Sequence, residues 1–175
     1  SVEHLEAGLD AQHKPVAWLH RSVAPTIFST FVEGAKNEAD LELAMGVINV
    51  PFDIKSVRIE NPEAVAHTRI GWFRSVSNIP HAFAVQSFVA ELAAAAGRDP
   101  KDYLLEVIGP ARRISPEQLS DKWNHGENPE LYPVDTGRLR RVVETVAREA
   151  GWGREVPKGR GLGLPAHYSF VSYVA

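Results

Sequence analysis

The sequence predicts an α+β fold of mixed short strands with about four helices. Three observations lead to that class. Apolar residues recur at helical spacing within 78–97, 100–108 and 136–151, and capping or breaking residues bracket each run. Runs rich in β-branched and aromatic residues at 16–23 and 56–60 alternate with polar residues as strands do. The two kinds of segment are interspersed, without the regular alternation of a doubly wound parallel sheet. No internal repeat is present, so residues 1–175 read as a single domain or as a fragment of a larger one.

Val16 to Val23 follows a Lys-Pro break and reads as a strand. Pro25 to Val32 is open between a single helical turn and an extended edge. Glu38 to Met45 is a short helix ended by Gly46; Pro51-Phe52-Asp53 is a turn; Ser56 to Glu60 is a strand broken by Asn61-Pro62. Ile70 to Arg74, with Trp72 and Phe73, reads as a short strand, and Ser75 to Asn78 as a polar loop into a long helix. In that helix Val85, Phe88, Val89, Leu92 and Ala96 draw one apolar stripe, which predicts a buried face. Pro80 suits its first turn and Gly97 the position just past its end.

Asp99-Pro100 opens the next helix, which runs to about Ile108 and buries Leu104, Val107 and Ile108 before Gly109-Pro110 stops it. Ser115-Pro116 repeats the start signal for a shorter helix reaching roughly Trp123. Residues 124–134 are dominated by Gly, Asn and Pro and read as a loop. Thr136 is read as the cap of the last long helix, with Leu139, Val142, Val143, Val146 and Ala150 as its stripe and Gly151 as its end. Leu164 to Val174 reads as one strand, bent at Pro165.

Composition narrows the function. A net charge of −3 without a dense Lys/Arg cluster argues against a nucleic-acid surface or a membrane-adsorbing face. The pairs Arg112-Arg113 and Arg140-Arg141 read as solvated helix ends and faces. With no cysteine, disulfides, thiolate catalysis, iron–sulfur ligation and Cys-based zinc sites are excluded within this chain. The longest apolar run, 88–96, is interrupted by Glu91 and too short to span a bilayer, so no membrane span is expected.

Familiar chemical motifs are absent. Gly159-Arg160-Gly161-Leu162-Gly163 is followed by an extended run where a phosphate-cradling loop needs a helix. No two histidines stand at H-x-x-x-H spacing, so no protein-ligated metal is expected, and no G-x-S-x-G elbow supports a hydrolase. His81 and His167 read as capping or core residues, and Gln86 as a buried hydrogen-bonding group. Arg74 stands out: a cation where a loop meets a helix N-terminus offers charge and backbone N–H groups to an anionic oxygen. The plain alternative for Arg74 is a structural ion pair or carbonyl cap.

The runs GWFRSVSN and HAFAVQSFVAELAAAAGRDP resemble the large, molybdenum-binding subunit of the molybdenum hydroxylases, with the isoquinoline 1-oxidoreductase β-subunit type the nearest in pattern and bacterial aldehyde oxidases and xanthine dehydrogenases as relatives. Ala7 to Arg21, Arg140 to Gly153 and Gly159 to Ala175 extend the resemblance in the same order. It covers nearly all of this chain and a minority of the much longer subunit, so the chain is expected to be a segment of a larger assembly. A start at Ser1 and an end inside a β-prone run agree with that expectation.

The resemblance implies a molybdopterin cofactor, in its cytosine dinucleotide form, bound to the full-length protein; none is expected to stay bound to this chain alone. It implies hydroxylation of an electron-poor carbon in an N-heterocycle or aldehyde, with oxygen from water. Its implied partners are the remainder of the subunit and a small iron–sulfur subunit. Phe73, Arg74 and Ser75 match the segment that lies beside the cofactor; most relatives carry Gly where Ser75 stands, and Ser is common there in the isoquinoline-type branch. The family's catalytic glutamate lies in a G-x-G-E run that does not occur here, and neither Glu91 nor Glu149 replaces it, so no catalytic residue is expected in this chain. Two rivals remain: a cofactor-free interaction or packing module of the same fold, and a small periplasmic ligand-binding domain suggested by Trp18, Trp72 and Phe73. Substrate is not legible, and the compartment is open between bacterial cytoplasm and periplasm.

Overall fold

The computed structural model describes residues 1–175, and its architecture is α+β. Strand β1 (Val2–Leu9) pairs antiparallel with β2 (Pro15–Val23), and β2 pairs parallel with β3 (Ser56–Glu60). Between β2 and β3 lie a 3₁₀ turn, Ile27–Thr30, and the short helix α1 (Asp40–Leu43). The turn resolves Pro25 to Val32 in favour of its helical reading. Thr26 caps it by accepting from the Phe28 N–H.

Helix α2 (Asn78–Ala95) lies against the sheet, and α3 (Pro100–Ile108) leaves it at 116° through Gly97. The expected stripe of α2 is the core face: Val85, Val89 and Leu92 are buried, with Phe88 and Ala96 half-buried. Asp99 caps α3 by accepting from the Asp102 N–H at 3.0 Å. Leu104, Val107 and Ile108 are buried as predicted, together with Tyr103. With Trp18, Leu139, Val143 and Ala166 these residues make one core, in which Trp18 meets the edges of Phe52 and Phe88.

Two guanidinium groups close the negative end of α3. Arg112 donates to Ile108 O at 2.7 Å, and Arg140 donates to Leu105 O and Gly109 O, satisfying carbonyls that the helix leaves without partners. Their neighbours Arg113 and Arg141 are exposed, so only one member of each basic pair is a solvated charge. Gly109 is required where α3 stops: its φ is +77°, and a Cβ there would sit 2.5 Å from that of Asp53.

Helix α4 (Thr136–Glu149) follows a two-residue ladder between β4 (Arg113–Ile114) and β5 (Val134–Asp135). Its cap is Asp135, which accepts from the Arg138 N–H; the Thr136 hydroxyl instead donates to Pro110 O. Leu139 and Val143 are buried as expected. The face is rotated toward Ala147, leaving Val142 and Val146 half-buried and Ala150 exposed.

The helix expected from Ser115 to about Trp123 is one 3₁₀ turn, Pro116–Leu119, ended by Ser120 in the left-handed conformation. The single strand expected over 164–174 is a hairpin of β6 (His167–Ser169) and β7 (Ser172–Val174). Phe170 and Val171 form its turn at positive φ, the geometry that twists correctly for a tight hairpin but normally selects Asn-Gly. Tertiary packing supports the less favourable pair: Phe170 meets Trp123 and His125, and Val171 packs on the Ile114, Val134 and Tyr168 cluster.

Candidate functional site

The residues singled out by sequence, Phe73, Arg74 and Ser75, lie together on an exposed loop that leads into α2. The strand expected at Ile70 to Arg74 does not form. Two aromatics in a short run favour extended backbone locally, but a strand needs a ladder partner and none reaches this segment. The chain instead folds into a turn over 74–77, with the Val76 N–H on Phe73 O and the Asn78 N–H on Ser75 O. Ser75 (φ 70°) and Val76 (φ 48°) are both left-handed.

This turn displays its side chains. Trp72 is 57% and Phe73 81% exposed, and Trp72 leans on the equally open Phe31 with ring centroids 5.7 Å apart. Arg74 is exposed and meets no acid or carbonyl of the chain, so its structural reading as an ion pair or cap has no partner. A guanidinium without a partner, on the same loop as the open rings of Trp72 and Phe73, is chemically suited to a planar ligand with anionic oxygens. One expected contribution is missing. The first amides of α2 are turned inward, the Asn78 N–H to Ser75 O and the Ile79 N–H to Val76 O, and Pro80 has none. Any anion here is therefore met by the Arg74 side chain and not by the helix terminus.

Behind the loop α2 begins with polar residues on its buried face. Asn78 and His81 continue the line of Val85, Val89 and Leu92 inward, and each is satisfied. Asn78 Nδ2 donates to Ser75 O at 3.0 Å, while its Oδ1 accepts from His167 Nε2 at 2.7 Å. His81 Nδ1 donates to Met45 O at 3.0 Å. Its Nε2 lies 3.2 Å from Ser22 Oγ and 3.4 Å from Glu38 Oε1. Ser22 donates to Glu38 Oε2 at 2.6 Å, and Glu3 bonds His20 at 2.9 Å.

Five polar side chains from β1, β2, the segment before α1, and α2 thus close on one another with no Lys or Arg among them. Sequence reasoning missed this cluster. The only trace of it is the alternation Trp18, His20, Ser22 along the inner face of β2.

Burial pushes the Glu3 carboxyl up, but its bond to His20, the nearby His81 and His20 rings and the Ser22 hydroxyl outweigh that and hold it below the usual range. His167 moves the other way from an ordinary histidine: burial, then the neighbouring His81 and His125, lower it to about 4. Ser22 beside His81 does not make a nucleophile pair. The serine is fully buried, and His81 Nδ1 faces a backbone carbonyl where a catalytic dyad places a carboxylate. No group of three or more His, Asp or Glu side chains is arranged to hold a metal ion.

His81 is fully buried and His167 half-buried, and Gln86, expected to be buried but half-buried, accepts from the Ala166 N–H at 3.0 Å. Residues 159–163 are exposed and lead into no helix, which leaves the glycines without a phosphate cradle. Glu91 and Glu149 are exposed. No single helix is long and apolar enough to cross a membrane.

The chain is thus an α+β fold whose exposed loop carries Arg74 next to open aromatic residues, backed by buried polar residues at the start of α2. A stretch of 64 residues, 37% of this chain, is 38% identical to one of the subunits of nicotinate dehydrogenase from Pseudomonas putida, a member of the molybdenum hydroxylases. The chain is a distant and partial relative of that protein, the matched stretch spanning 5% of its length. No family model matches the chain.

Proposed function

We propose that this chain is a segment of the molybdenum-binding subunit of an oxidoreductase that hydroxylates N-heterocycles or aldehydes with oxygen taken from water. The similarity to a nicotinate dehydrogenase subunit carries this reading, and an N-heterocycle is the substrate class that similarity favours. The finer pattern of GWFRSVSN points to the isoquinoline-type branch and to the cytosine dinucleotide form of the cofactor.

The loop residues fit such a group. Arg74, with no partner in the chain, would neutralise anionic oxygens of the pterin or its pyrophosphate. Phe73 would lay an apolar face beside it and exclude water, and Ser75 would offer its hydroxyl. When bound, the cofactor supplies two-electron oxidation of an electron-poor carbon. This chain contributes binding and orientation; the proton-abstracting carboxylate and the iron–sulfur ligands belong to other segments and to a partner subunit. The open faces of Phe31, Trp72, Phe73 and Phe83 suit burial against the remainder of the subunit.

Elemental analysis of the complete subunit that carries this segment, purified with its iron–sulfur partner, tests the proposal. Stoichiometric molybdenum and dye-linked oxidation of nicotinate, isoquinoline, quinoline or an aromatic aldehyde are expected. The isolated 175-residue chain should hold negligible molybdenum and turn over none of them. A complete subunit without molybdenum would overturn the reading.

A further inference from the structure

Two successive left-handed residues that are not glycine, one of them β-branched, persist only where the surroundings over-determine them. The Ser75-Val76 pair is such a place, and one side chain reaches it from behind. Asn78 is only 3% exposed, and both ends of its amide are used, Nδ2 on Ser75 O and Oδ1 under His167 Nε2. The two bonds fix the orientation of the amide, because the group facing a carbonyl must be the donor. They also fix His167 as the tautomer with hydrogen on Nε2.

The His167 ring in turn is seated by Gly46, where a Cβ would stand 2.9 Å from its Cε1 and 3.0 Å from the His81 Cβ. His167 opens the β6–β7 hairpin, so the conformation of an exposed loop is tied through Asn78 to a hairpin distant in sequence.

We propose that Asn78 and His167 are positioning residues that clasp the 74–77 turn in the geometry presenting Phe73 and Arg74 to the cofactor. The proposal rests on the reading of that loop as cofactor-facing. His167→Ala removes the donor that orients Asn78, whereas His167→Gln returns an amide N–H to the same reach.

In the 175-residue chain, the three-bond amide couplings and the carbonyl ¹³C shift at Ser75 and Val76 report the turn directly. His167→Ala is expected to move both residues out of the left-handed region, with far-UV circular dichroism unchanged, and His167→Gln to restore them. Asn78→Asp, which keeps the acceptor for His167 and loses the donor to Ser75, should relax the turn in the same way and serves if His167→Ala does not fold. A turn unchanged in both His167→Ala and Asn78→Asp overturns the clasp. Molybdenum content of the complete subunit separates the two readings: a fall in His167→Ala with recovery in His167→Gln supports positioning. A relaxed turn with unchanged molybdenum overturns the loop as cofactor-facing while leaving the clasp as a structural fact.

Discussion

His167 makes stability depend on pH in a way that can be isolated. Its imidazole is lowered from an ordinary 6.5 to about 4 in the folded chain, chiefly because the hairpin and α2 bury it. Between those values the unfolded chain binds more protons than the folded one, so stability is fully present above pH 6.5 and is lost as pH falls toward 4. Integrating the two titrations gives a loss of about 2.5 kcal/mol at pH 4.5 and about 0.1 kcal/mol or less at pH 7.5. Glu3, also held below its usual value, loses stability on the same side of the scale, so the parent alone does not separate the two. The difference between parent and His167→Gln does, because Glu3 is common to both. Urea unfolding at pH 7.5 and 4.5 should show the variant gaining on the parent by about 2–3 kcal/mol at the lower pH. A pH-independent difference would mean that the ring is solvated and that the hairpin does not cover it.

Two further predictions concern the core and the buried cluster. Leu92, 8% exposed within the main core, should cost about 2–5 kcal/mol on truncation to Ala, and an unfolding curve matching the parent would mean that α2 buries another face. Ser22→Ala removes the hydroxyl that donates to Glu38 inside the cluster and should cost about 1–3 kcal/mol by leaving a buried carboxylate oxygen unpaired; a change within error in thermal unfolding would show that water already serves that carboxylate.

The fold class and most helix limits were legible because local chemistry sets them. Asp99-Pro100 starts α3, Gly97 and Gly109 end α2 and α3, and the spacing of Val85, Val89 and Leu92 selects a face. Where the sequence misled, a distant contact decided the outcome. Ile70 to Arg74 has strand composition but no partner strand, and Phe170-Val171 turns a hairpin without a turn signature because both residues are packed. Strand β1 went unrecognised because its inner face begins with Glu3, whose burial makes sense only beside His20 and Ser22. At the candidate site the residue types were legible and the geometry was not. The sequence pointed to Phe73, Arg74 and Ser75, but Asn78 reaches back to Ser75 while held by His167, 89 residues away, a contact that no local pattern announces.

The most direct test of the account is the molybdenum content of the complete subunit carrying Arg74→Ala, measured beside the parent purified in the same way. Loss of a charge-assisted contact worth about 1.5–3 kcal/mol should weaken cofactor retention roughly tenfold or more. The expected product is a subunit that is folded but depleted of molybdenum, with Arg74→Lys intermediate because a point charge replaces part of the guanidinium's role. Molybdenum content and turnover equal to the parent in Arg74→Ala would contradict it.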